Sequence, residues 1–193
     1  LQGSYQRGEA NTESDIDILI LLSKMDSTDL QKYDILMQKL PFAEKLCGFF
    51  AEKEVLQCWE KSELFQFYYG TKPLYGNLDF LLPLFQKTDI QKAIKIGACN
   101  LYHACCHNFL FDRDMTQIKS FYKSAFFLLQ AKYFLNYGQY IKTKKAMYET
   151  CQGVDREIMA NSLKKMDDPN QGQYLNYHTD LLLQWSKQLI LQY

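Results

Sequence analysis

Asp15 and Asp17 stand one residue apart in Ser14-Asp15-Ile16-Asp17, directly ahead of the apolar run Ile18 to Leu22. On an extended chain, residues i and i+2 point to the same face, so the two carboxylates lie side by side. Carboxylates that close repel each other unless a cation sits with them. Mg²⁺ prefers oxygen ligands and commonly joins one or two Asp side chains to the phosphates of a nucleotide. Asp15 and Asp17 are therefore the expected catalytic metal ligands, with Mg²⁺ as the cofactor. Upstream, Gly3 permits close backbone approach, and Ser4 adds a hydroxyl and exposed N–H groups. Arg7 offers a fixed cation for phosphate oxygens, or a buttress for the loop. Ser14 can orient the strand entry. Gly3, Ser4, Arg7 and Ser14 are the expected nucleotide-binding residues.

These residues need a scaffold. The run from Ile16 to Leu22 predicts a buried strand. Ser27 is a candidate N-cap for a helix from about Thr28 to Leu40, stopped by Pro41. A second strand is expected over Glu54 to Trp59, and a short helix over Glu63 to Tyr69. Gly70 to Gly76 (GTKPLYG) reads as a turn-rich hinge. Beyond it the apolar spacing becomes helical: Ile90, Ile94, Gly97, Leu101, Cys105 and Phe109; Phe121, Ala125 and Leu128; Leu181, Leu182, Trp185 and Leu189. Breaks near Asp112 to Met115, Gly138, Gly153 and Asp167 to Gly172 predict about five helices in a bundle. The expected fold class is α+β, a small mixed-sheet domain followed by an all-helical bundle. The boundary is placed within Leu78 to Gln86, giving domains 1–80 and 81–193.

The combination Gly3-Ser4, Arg7-Gly8 and Ser14-Asp15-Ile16-Asp17, followed by the strand, resembles the nucleotidyltransferase superfamily that includes DNA polymerase beta. It is most similar to the bacterial minimal and kanamycin-type nucleotidyltransferases. Pro73-Leu74-Tyr75-Gly76 resembles the segment that ends this domain in many relatives, and relatives often carry a C-terminal helical bundle of HEPN type. The resemblance implies Mg²⁺-dependent transfer of a nucleoside monophosphate from an NTP, ATP being expected, to a hydroxyl acceptor. It also implies a first strand before Gly3, which domain 1–80 is expected to lack. A third carboxylate is implied on a neighbouring strand. With that strand expected at Glu54 to Trp59, Glu54 is the third catalytic candidate, ahead of Glu52, Glu60 and Asp79, while Gln57 cannot act as a base. HEPN ribonucleases carry an Arg followed by a His four to six residues later. None of Arg7, Arg113 and Arg156 has one, so ribonuclease activity is rejected.

Composition bounds the partners. The 193 residues carry 22 basic and 22 acidic side chains, and that zero balance disfavours nucleic acid as a general partner. No apolar stretch reaches the roughly 20 residues of a membrane helix. Six cysteines without a CxxC pair read as reduced thiols and point to the cytoplasm. Cys99, His103 and His107 share a helix face, but His103-x-x-x-His107 lacks the glutamate of a metalloprotease motif, and a structural role is preferred over zinc. The basic clusters Lys142 to Lys145 and Lys164-Lys165 read as solvated helix faces. The expected partners are an NTP and an acceptor, small molecule before protein, with a second copy of the chain or a toxin-type protein as candidate macromolecular partners. The competing reading is an NTP-binding regulatory or antitoxin-like module with weak or no catalysis.

Overall fold

The computed structural model describes residues 1–164 and 171–193, and the chain divides into two compact units, Leu1–Gln86 and Lys87–Tyr193. Lys165 and residues 167–170 of the break expected at Asp167 to Gly172 lie outside the described residues.

The first unit opens with a one-turn helix, α1 (Gly3–Arg7), closed by Gly8 in the left-handed conformation, followed by strand β1 (Ile16–Leu22). Helix α2 (Ser27–Met37) follows, then strand β2 (Leu46–Glu52), helix α3 (Lys53–Gln57) and helix α4 (Lys61–Tyr69). β1 and β2 pair in parallel, with Asp17 opposite Cys47, Leu19 opposite Phe49 and Leu21 opposite Ala51. Alternation therefore assigns Asp17, Leu19 and Leu21 to one face of β1, matched by Cys47, Phe49 and Ala51 on β2, with Asp15 immediately before the strand. At its C-terminal half this face builds the core: Ala51, Leu56, Leu64, Leu78 and Leu81 are buried, with Leu19, Leu21, Phe49 and Trp59 packed against them. On the other face, Tyr33 of α2 meets Phe50 edge-on at 4.5 Å between ring centroids.

Three local expectations are corrected. The second strand is not Glu54 to Trp59 but Leu46–Glu52, and Glu54 lies in a helix. Lys53, Glu54, Leu56 and Gln57 are good helix formers, while Gly48 interrupts the aromatic run that forms the strand. The α2 cap is Asp26, not Ser27. Its side chain accepts from the N–H groups of Thr28 and Asp29, and the Asp29 carboxylate accepts from the Asp26 N–H in return, a reciprocal box. The helix ends at Met37, short of Leu40. The first unit also continues to Gln86, because a 3₁₀ turn over Asp79–Leu84 inserts Leu81 into its core. That end falls inside the boundary window Leu78 to Gln86, six residues past a division at 80.

The second unit is helical: α5 (Lys87–His107), α6 (Met115–Tyr137), α7 (Lys144–Thr150), α8 (Gly153–Leu163) and α9 (Gln171–Gln192). α5 packs against α6 and α9, and α8 packs against α6 and α7. Ile90, Ile94, Leu101 and Cys105 are buried as the helical spacing requires, as are Phe121, Ala125, Leu128, Leu182, Trp185 and Leu189. Gly97 lets α6 approach: a Cβ there would stand 2.6 Å from Leu128 Cδ2. Asp155 joins three helices, accepting from Trp185 Nε1 at 2.8 Å and from Lys132 Nζ at 2.6 Å. The Asp112 to Met115 break is a π-helical turn, Asn108–Asp112, closed by Arg113 in the left-handed region. Among the described residues, no helix is long and apolar enough to cross a membrane.

Candidate functional site

The acidic end of the sheet is assembled by short-range bonds that this sequence dictates. Asn11 and Ser14 form a self-bonded turn: Ser14 Oγ accepts from the Asn11 N–H at 2.9 Å, and Asn11 Oδ1 accepts from the Glu13 N–H at 2.9 Å. Asn and Ser are suited to such turns because their short polar side chains reach their own backbone. Ser14 therefore belongs to the turn that leads into Asp15. Asp15 is exposed, and Asp17 is half-buried at the start of β1.

Asp17 is held from the other side by the first residues of the chain. The Gln2 N–H donates to the Asp17 carbonyl at 2.8 Å, and the Lys72 N–H donates to the Leu1 carbonyl at 2.8 Å. Gln2 Nε2 also donates to Thr71 Oγ1 at 2.7 Å, so the hinge segment lies beside the same strand end. Gly3 comes next, at φ +63°, and a Cβ on it would sit 1.8 Å from Asp17 Oδ2. The Asp17 carboxylate thus occupies a cradle that any side chain at position 3 would fill. Gly3 and Asp17 are brought together by this contact, and Ser4 follows Gly3 in α1.

Arg7 lies at the other end of α1, where its Nε donates to Glu9 Oε2 at 2.8 Å. The Glu9 N–H donates to the Ser4 carbonyl at 2.9 Å. The arginine therefore ties α1 to Glu9 in the loop after the helix.

Glu54 is not brought to the site. Asp17 and Leu22 are five residues apart on β1, about 17 Å at the usual rise per residue. Leu22 pairs with Glu52, and Glu54 lies beyond that at the opposite end of the sheet, on the exposed side of α3. Glu52 accepts from the Met25 N–H at 3.0 Å and closes that far end. The residue in register with Asp17 on the neighbouring strand is Cys47, an exposed free thiol.

Two side chains at this end escaped sequence reasoning because the second strand was expected elsewhere. They are Cys47 and Lys45, whose Nζ donates to the Thr12 carbonyl at 2.6 Å. The available signal was a lysine at the head of the aromatic run Leu46 to Phe50.

Among the described residues, no three His, Cys, Asp or Glu side chains are grouped to hold a metal. The donor set of Asp15 and Asp17 fits Mg²⁺ nevertheless, because that ion is held by one or two carboxylates with substrate phosphates and water completing its shell. The Gly3 cradle fixes one of those carboxylates and leaves Asp15 exposed beside it.

In the second unit, His107 Nδ1 contacts Asp112 Oδ2 at 3.1 Å and Cys99 is exposed, consistent with surface roles. A cavity of about 330 Å³ opens between Lys132, Tyr133, Asn136, Cys151, Gln152 and Asp155. Its ion pair is already satisfied within the bundle. The buried pair there is Tyr122 and His178, with Oη and Nδ1 2.6 Å apart. Burial pushes the Tyr122 hydroxyl far up, and burial together with the Lys164 charge lowers His178 to about 4. His178 is therefore neutral at pH 7.

No curated protein and no solved structure matches the chain. Residues 1–76 match the family model of the nucleotidyltransferase domain. That segment holds Gly3, Ser4, Arg7, Ser14, Asp15 and Asp17, and it ends at the Pro73 to Gly76 element. That match supports the nucleotidyltransferase superfamily for residues 1–76.

Proposed function

We propose that the first unit binds a Mg²⁺-nucleoside triphosphate, ATP in the first instance, and transfers its nucleoside monophosphate to a hydroxyl of a small molecule or a protein. The observation that carries this reading is the paired aspartates at the head of β1, with the Asp17 carboxylate cradled against Gly3. Asp15 and Asp17 would hold Mg²⁺, which supplies charge neutralisation at the phosphate oxygens when bound. The remaining work falls to the chain. Gly3 and Ser4 line the phosphate side of the cleft, Ser14 fixes the entry angle of Asp15, and Arg7 braces the loop through Glu9. The acceptor oxygen would bond to the α-phosphorus as the bond to the leaving pyrophosphate breaks, and the acceptor would lose one proton.

That proton exposes the weak point. Cys47, not a carboxylate, stands across from Asp17, and Glu54 sits at the far end of the sheet. This arrangement favours a second reading, in which the protein binds Mg²⁺-NTP as a regulatory or antitoxin-like module with little turnover. One experiment separates the two: incubation with Mg²⁺, α-labelled ATP and a panel of small-molecule and protein acceptors, beside the Asp15→Asn/Asp17→Asn double variant. Label transfer and pyrophosphate release that vanish in the variant establish the transferase. ATP binding without transfer across the panel establishes the module. Absence of any aspartate-dependent ATP binding overturns both.

A further inference from the structure

We infer that Lys45 is the cation that receives the phosphate chain of the nucleotide at this site. The inference rests on the nucleotide-binding reading of Asp15 and Asp17 and adds the residue that balances the charge. A triphosphate brings more negative charge than a single Mg²⁺ can offset once two carboxylates share that ion, so a further cation is required beside it.

Lys45 is where such a cation has to be. It immediately precedes Leu46, which pairs with Ile16, so it enters the sheet level with Asp15. It ends a 3₁₀ turn, Ala43–Lys45, that delivers the chain into β2 beside the first paired residue of β1. Its Nζ reaches the Thr12 carbonyl at 2.6 Å, in the turn that leads into Asp15, which places the ammonium at the acidic end rather than out along the strand. A carbonyl occupies one of the three ammonium hydrogens and leaves the charge uncompensated.

The chain also bears a backbone cost to set this residue. Phe42, three positions earlier, is a non-glycine residue at φ 62°, ψ 29°, in a left-handed conformation that disfavours side chains. It is 63% exposed, so packing of its ring does not account for the strain. The strained turn is closed by the Lys45 N–H donating to the Phe42 carbonyl at 3.0 Å, and this fixes where the lysine leaves the backbone. Arg7, the other cation nearby in sequence, is paired with Glu9 at 2.8 Å, so its charge is matched before any ligand arrives.

The test is calorimetric titration of Mg²⁺-ATP, Mg²⁺-ADP and adenosine into the full chain and four variants. Lys45→Met and Lys45→Gln remove the charge, the glutamine keeping an N–H donor for Thr12. Lys45→Arg keeps the charge, and Arg7→Met removes the other cation. Mg²⁺-ATP affinity is expected to fall at least tenfold in both Lys45→Met and Lys45→Gln, to recover within threefold in Lys45→Arg, and to change less in Arg7→Met. Adenosine affinity should not move. Wild-type affinity in Lys45→Gln would show that the residue only braces the turn and would overturn the inference, while Mg²⁺-ATP binding by the parent chain kept the wider reading intact. Equal losses for adenosine and ATP would overturn it as well. If the parent chain binds no Mg²⁺-ATP, the nucleotide reading fails together with the inference.

Discussion

Gly3 and Asp17 act as one unit, although β1 and α1 place them on different elements. Filling the space beside the Asp17 carboxylate should displace it, so Gly3→Ala is expected to lower Mg²⁺-ATP affinity at least tenfold in a titration. It also places a side chain at φ +63°, which costs about 1–2 kcal/mol of stability. Gly8 provides the internal control. Its φ is +72°, yet a Cβ there would meet nothing within 4 Å. Gly8→Ala should therefore lose about 1 kcal/mol in denaturant unfolding and leave nucleotide affinity within threefold of the parent. If both variants lose affinity equally, the Asp17 cradle is not what positions the ligand.

Elements decide which of these residues meet, and here the sequence was only partly legible. The position of β1 was legible, because an aliphatic run preceded by alternating carboxylates reads as a strand with one acidic end, but its expected burial was not met: every residue from Ile16 to Leu22 is only partly buried, since the sheet has two strands. The position of β2 was not legible, because Gly48 and Cys47 dilute its apolar signal, while Val55-Leu56 imitates a strand inside what folds as one helical turn. Glu54 was misplaced for that reason alone: a third carboxylate was sought on a strand that in fact ends at Glu52. The α2 cap escaped for a subtler reason, since Asp26, Ser27 and Asp29 are all competent cap residues, and only the reciprocal bonds select Asp26. Asp26→Ala should destabilise the first unit by about 1 kcal/mol in denaturant unfolding, with Ser27→Ala close to neutral. Similarly, Phe42→Gly relieves a left-handed side chain and should raise stability by a few tenths to about 1 kcal/mol.

At the scale of the molecule, each unit keeps its own core, and each has a distinct vulnerability. The first depends on residues beyond its family match. Leu81 is fully buried with Leu56 and Leu64, so Leu81→Ala should cost about 3 kcal/mol in denaturant unfolding. The second depends on a neutral histidine. His178 is ringed by Tyr122, Tyr174 and Tyr177, and burial with the Lys164 charge holds it at about 4, against 6.5 for an exposed histidine. The unfolded chain therefore takes up this proton first as acid is added. The stability that goes with neutral His178 is fully present above pH 6.5, declines as pH falls, and is exhausted below about pH 4. The full shift is worth at most a few kcal/mol, and about 2 kcal/mol after solvent screening. Unfolding midpoints measured between pH 7 and 4 should drop more steeply for the parent than for His178→Gln.

The face of β1 that changes from carboxylate to leucine also enforces assembly fidelity. A one-residue slip against β2 would turn Leu19 and Leu21 out of the core, and a two-residue slip would set Asp17 against Phe49 and drive a charge toward apolar surroundings. The aspartates therefore act as an alignment stop during folding, whatever they later bind. Neutralising them should loosen the pairing as well as the ligand, so Asp17→Leu is expected to hold more than one strand alignment, visible as doubled amide resonances for residues 46 to 52.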